Sequence, residues 1–136
     1  MKLSDLPKLR AKRLRNIGGS NRGNKRVEID GHKFQSIAES RRYEQLRLLQ
    51  MAGKIHGLVL QPHLDLFVEG KKVTRYTPDF QYWKGTPGVC VFEDVKGKLE
   101  EAAWVRIRLA RALGYKIELL NEETNPDLFR SKRRAK

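Results

Sequence analysis

A single cysteine, Cys90, is the whole thiol complement of this chain, so no internal disulfide can form. One Cys with three scattered histidines, His32, His56 and His63, cannot build a structural zinc site of the usual tetrahedral kind either. Long apolar runs are also missing. Nothing approaches the roughly 18 consecutive apolar residues of a membrane span. The N-terminus, MKLSDLPKLRAKRLRNIGG, is positively charged but has no apolar stretch behind it. The sequence is therefore expected to lack a secretory signal and to be cytoplasmic. A helix lying on an acidic membrane would need bulky apolar residues opposite its charges, and Leu9, Leu14 and Ile17 are too few. No membrane partner is expected.

What is present is positive charge, and its location matters more than its amount. In 136 residues the formal net charge is +13. Residues 1–26 hold nine Lys or Arg against Asp5, and residues 130–136 hold five with no acid. The remaining fifteen basic residues are matched by fifteen acidic ones, so the body is neutral and the excess sits at the two ends. Cationic arms on a neutral body suit a long polyanion, because each phosphate contact releases condensed counterions. DNA is the expected partner. The chain reads as a basic arm over 1–25, one domain over 26–125 and a basic tail over 126–136.

Within the body, Val27 to Phe34 alternates around Asp30-Gly31, the dipeptide of a tight hairpin. Ser36 to Ala52 predicts a helix, opened by a Ser36/Glu39 capping box and closed by Gly53. Short strand-like segments follow at 57–61, 64–68, 72–76, 80–83 and 89–96, divided by Pro62, Gly70, Pro78 and Gly85-Thr86-Pro87-Gly88, and predict an antiparallel meander. A second helix over 99–113 places Ala102, Val105, Leu109, Ala112 and Leu113 on one stripe, and 115–120 predicts a closing strand. The fold class is α/β, a mixed β-sheet flanked by two helices.

Thr77-Pro78-Asp79-Phe80 and, further on, Asp94-Val95-Lys96-Gly97 have the form PD…(D/E)xK. Such fragments are common by chance. Pro126-Asp127 and Glu69-Gly70-Lys71 are decoys, but only one pairing occurs in the right order. Strand alternation puts Asp94 and Lys96 on one face, about 7 Å apart along the chain, and sends Glu93 to the other. Val89, Val91 and Val95 on the face opposite Cys90 and Phe92 predict a central strand buried on both sides. A buried Asp and Lys at its end are costly unless they pair with each other or with a metal. Converging carboxylates make a hard-oxygen site suited to Mg²⁺, and a lysine beside them can hold a water or offset charge on phosphorus. The bland alternative is a turn at Pro78-Asp79 and a simple ion pair.

Phe34-x-Ser36-x-x-Glu39 opening a helix, Gln61-Pro62, Tyr76-Thr77-Pro78-Asp79-Phe80, Glu93-Asp94-Val95-Lys96-Gly97 and, after a helix, Gly114-Tyr115-x-Ile117 resemble the PD-(D/E)xK nuclease superfamily. The pattern looks most like small phage-encoded endonucleases and Holliday-junction resolvase-like proteins, over residues 24 to 120. The resemblance implies a restriction-endonuclease-like core and a metal-dependent DNA endonuclease, acting on branched or junction DNA in a bacterial host. It implies Mg²⁺, with Mn²⁺ able to substitute, held by Glu39, Asp79 and Asp94, with Lys96 completing the catalytic set. Gln61 falls where such nucleases sometimes carry another polar residue near the metal. Glu39 has a competing role as the capping-box acid, and Glu44 is its fallback.

Arg10, Lys12, Arg13, Arg15, Arg41, Arg42, Lys98, Arg133 and Arg134 are the candidate nucleic-acid contacts. Tyr43, Trp83 and Trp104 are read as core, and His56 and His63 as loop residues. The two-fold symmetry of a four-way junction makes a homodimer an expectation of the resolvase reading. Two alternatives share these features: a non-enzymatic nucleic-acid-binding protein on the same fold, and an RNA-processing nuclease.

Overall fold

The computed structural model of the chain describes residues 26–130. The arm carrying Arg10, Lys12, Arg13 and Arg15 and the tail carrying Arg133 and Arg134 lie outside the described residues. The described residues form a mixed α/β structure with three helices, α1 (Ile37–Met51), α2 (Glu101–Ala112) and α3 (Pro126–Phe129). No described helix is long and apolar enough to cross a membrane.

The chain divides into two compact units between Ser40 and Arg41, inside α1. The described part of the first unit is the expected hairpin, β1 (Val27–Ile29) against β2 (His32–Phe34). Asp30 (φ 53°) and Gly31 (φ 80°) are both left-handed, as a two-residue turn matched to strand twist requires. The first turn of α1 follows, where Ser36 Oγ accepts from the Glu39 N–H at 3.1 Å and caps the helix.

In the second unit α1 ends at Gly53 (φ 77°), where Gly53 N–H bonds the Gln50 carbonyl and Lys54 N–H that of Leu49. The strands are β3 (Ile55–Leu60), β4 (Leu64–Val68), β5 (Lys71–Tyr76), β6 (Phe80–Lys84), β7 (Val89–Val95) and β8 (Ile117–Leu120). The expected meander is not what forms. β4 and β5 make a separate two-stranded sheet, and β3 pairs directly with β6, giving a four-stranded sheet of order β3-β6-β7-β8. Short strands at even spacing do not specify whether a hairpin joins the main sheet or leaves it. The Gln61 N–H to Asp79 carbonyl bond, 2.9 Å, closes the base of the excursion. The sheet is mixed, since β6 and β7 are antiparallel while β7 and β8 are parallel. β7 is central, and its residues from Val91 to Val95 are all buried.

One side of β7 faces a core of Leu66, Tyr76, Phe92, Ile107, Ala110 and Ile117. The face of α2 in this core differs from the expected one. Ala102, Val105, Ala112 and Leu113 are exposed, and Ile107 and Ala110 are buried, with Trp104 packed alongside. Two apolar stripes compete on this helix, and the one with the larger side chains, Trp104 and Ile107, meets the sheet. Trp83 also departs from expectation. Its side chain is exposed at 38% instead of buried, and lies against Gly57 and Gly88, where an added Cβ would come within 3.0 and 3.3 Å of the indole. The turn α3 was not expected. Leu128 is buried in it, and the Arg41 guanidinium donates to the carbonyls of Asp127, Leu128 and Arg130, so the fold continues beyond residue 125.

Candidate active site

The site forms where β6 begins and β7 ends. Asp79 stands immediately before β6, placed by its N–H bond to the Glu93 carbonyl at 2.9 Å. Asp94 is the next residue along β7. The Asp79 carboxylate Oδ2 then accepts from the Val95 N–H at 2.7 Å, which ties one acid to the backbone beside the other. Both are buried, Asp79 at 8% exposure and Asp94 at 2%.

Asp94 has two unlike oxygens. Oδ2 accepts from the Tyr76 hydroxyl at 2.8 Å, in a buried bond. Oδ1 is buried without a hydrogen-bond donor, and its charged neighbour is the Lys96 ammonium at 3.6 Å, beyond hydrogen-bond reach. A buried carboxylate oxygen left in this state costs at least about 1–3 kcal/mol, so it calls for an external partner. Lys96 follows the last residue of β7, and its N–H continues the ladder by bonding the Leu120 carbonyl. Its side chain is 38% exposed while Asp94 is shut away, so the ammonium spans from buried acid to solvent. Burial, then the charge and hydrogen bond of Asp94, push the Tyr76 hydroxyl well above the ordinary tyrosine range, and the Asp79 charge adds to this. The phenol is a permanent donor.

Strand alternation separates the two adjacent acids as expected. Glu93 faces the other way, into a bidentate pair with Arg42 (2.7 Å for both bonds) and a bond from the Tyr82 hydroxyl. Burial works against the Arg42 charge, but the Glu93 bond and charge outweigh it and hold the guanidinium above its usual range. Burial, followed by the Glu93 bond and charge, likewise raises the Tyr82 hydroxyl. Glu93 thus ties α1 to the sheet.

Arg41 and Arg42, both half-buried, are engaged within the fold: the first holds the carbonyls of the last helical turn and the second neutralises a buried glutamate. Lys98 is exposed just past the site. Gln61 is half-buried, joined through its N–H to the Asp79 carbonyl, and holds a left-handed φ of 51° that a non-glycine residue rarely adopts. Glu39 is buried in the first turn of α1, whereas the fallback Glu44 is exposed. His56 and His63 are exposed; His63 Nδ1 lies 3.1 Å from Thr77 Oγ1. Among the described residues no three His, Cys, Asp or Glu side chains are gathered into a cation cage. The acidic centre in the second unit is a pair. Sequence reasoning missed Tyr76 as a site residue, although it stands three positions before Asp79 at the end of a strand.

Fold and site together define a mixed α/β protein with a buried carboxylate pair and a lysine at the end of its central strand. The chain belongs to the DUF1064 family, proteins of unknown function, and the match covers residues 20–120. No curated protein and no solved structure matches it.

Proposed function

We propose that this chain is a metal-dependent DNA endonuclease with a restriction-endonuclease-like core, hydrolysing phosphodiester bonds of branched or junction DNA. The observation that carries the reading is the Asp94 carboxylate, buried beside Asp79 with one oxygen lacking any donor and Lys96 reaching from it toward solvent. A protein that only bound a polyanion would gain nothing from acids converging near a phosphate. A pair of carboxylates with a partnerless oxygen fits a hard divalent cation. Asp79 and Asp94 would hold Mg²⁺ or Mn²⁺, and the family resemblance, not the geometry, is what would add Glu39. When bound, the ion supplies Lewis acidity toward a phosphate and lowers the pKa of a water.

The chain's own residues supply the rest. Lys96 presents a cation between the acids and solvent, where it orients a water and offsets charge building on phosphorus. Tyr76 and the Val95 N–H hold the two carboxylates in place. The basic arms supply affinity for the polyanion. The test is incubation of the purified full chain with linear, flap and four-way-junction DNA, with Mg²⁺ or with chelator. Cutting of the branched substrates only when Mg²⁺ is present is the expected result, and chelator-resistant cutting overturns it.

A further inference from the structure

We propose that Tyr76 is a positioning residue that confines Asp94 to a single cation-facing oxygen and so favours a small octahedral cation over a larger one; the inference rests on the reading of the site given above. The Tyr76 hydroxyl donates to Asp94 Oδ2 at 2.8 Å while Oδ1 is left without a donor, 3.6 Å from Lys96 Nζ. Burial restrains the tyrosine from following a carboxylate that turns. Its ring is buried in one hydrophobic cluster with Leu66, Phe92, Ile107, Ala110 and Ile117, and close-packed interiors give a side chain little room to move. Presenting both Asp94 oxygens to one ion therefore makes Oδ2 serve the ion and a buried hydroxyl donor at once, which weakens that oxygen as a ligand and restricts how the carboxylate can turn. Mg²⁺ takes one oxygen from each carboxylate in a near-ideal octahedron at short distance, whereas Ca²⁺ takes six to eight ligands and readily accepts a carboxylate through both oxygens. Pinning one oxygen handicaps the larger ion.

The experiment is calorimetric titration of the full chain, without DNA, with Mg²⁺ and with Ca²⁺, comparing wild type, Tyr76→Phe, Asp94→Asn and Leu66→Ala. In Tyr76→Phe the Ca²⁺-to-Mg²⁺ affinity ratio is expected to rise about tenfold, in line with the effect of removing a group that orients a metal ligand. Leu66→Ala loosens the same core and is expected to leave the ratio unchanged. A ratio in Tyr76→Phe equal to wild type, or one that moves as far in Leu66→Ala, overturns the role of Tyr76. Asp94→Asn is expected to lose both ions; if it binds both like wild type, the reading of the site fails and the inference fails with it. Should Tyr76→Phe not fold, 3-fluorotyrosine at position 76 keeps the hydroxyl. Its fluorine resonance is expected to shift little with Mg²⁺ and more with Ca²⁺, and equal shifts overturn the inference.

Discussion

Asp94 shows how much one residue's surroundings decide. Its neighbour Glu93 is equally buried, yet Glu93 is saturated by Arg42 and Tyr82 while Asp94 keeps an oxygen without a donor. Asp79→Ala and Asp94→Ala are each expected to abolish cleavage with DNA binding intact or tighter, because a negative charge facing phosphate is removed. Lys96→Ala is expected to lose rate with metal affinity little changed. Cleavage assays beside filter binding check all three, and wild-type cutting by either aspartate variant refutes the site. For Glu39 the cap and the acid make different demands. Glu39→Gln preserves an amide oxygen that can accept from the Ser36 backbone N–H but removes the charge, so unchanged melting with lost activity is expected. Full activity would leave Glu39 a cap. The Asp94–Lys96 face and the opposed Glu93 were legible in the sequence because strand alternation is a local property. Tyr76 was not, because its bond to Asp94 joins residues eighteen apart on strands of different sheets.

Among the elements, α1 is held to the sheet by the Arg42–Glu93 pair. Removing one partner of a buried pair strands the other, so Arg42→Ala is expected to lower unfolding free energy by about 3–5 kcal/mol, read by urea denaturation. Changing both residues to apolar ones should recover most of it. The β4–β5 hairpin carries a different device. Asp65 and Arg75 face each other in register at 2.6 Å, with Lys72 at 3.4 Å from the same carboxylate. The Arg75 hydrogen bond, with Lys72 assisting, holds Asp65 below its ordinary value of 3.8. A depressed carboxylate stabilises the fold above that value, and the contribution disappears as pH falls through the lower folded one. The melting difference between wild type and Asp65→Asn is therefore expected to be present at neutral pH and to shrink as the pH falls below the ordinary carboxylate value. A difference constant across that range would assign Asp65 no ionic role. Both long helices were legible, α1 from its capping box and Gly53 and α2 from apolar residues at helical spacing. The buried face of α2 was not, since two apolar stripes run along it and only packing on the sheet selects Ile107 over Val105.

For the whole molecule, charge and chemistry occupy different stretches of chain. Every unit of excess charge lies in residues 1–26 and 130–136, and the proposed acids lie in the neutral body. Binding and cutting are therefore expected to separate. Deleting residues 1–20 removes Lys2, Lys8, Arg10, Lys12, Arg13 and Arg15. With half of them on phosphates, the slope of log K against log salt becomes shallower by roughly 3, and affinity at moderate salt falls by about tenfold or more. Cleavage at saturating enzyme is expected to survive. An unchanged salt slope would mean that this arm does not touch DNA. Within the body, Arg41 and Arg42 already have partners in the fold.

Composition and local pattern alone determined the placement of charge, the hairpin at Asp30-Gly31, the extents of α1 and α2, the central buried strand and the split of Glu93 from Asp94. All of these follow from side-chain period, turn chemistry or charge, which act over a few residues. Tertiary structure alone decided that β4 and β5 leave the main sheet, that residues 126–129 fold as a helical turn under Arg41, and that Tyr76 secures one oxygen of Asp94. Each of these depends on which distant segments compete for the same backbone edge or buried donor. That competition is settled only when the whole chain packs.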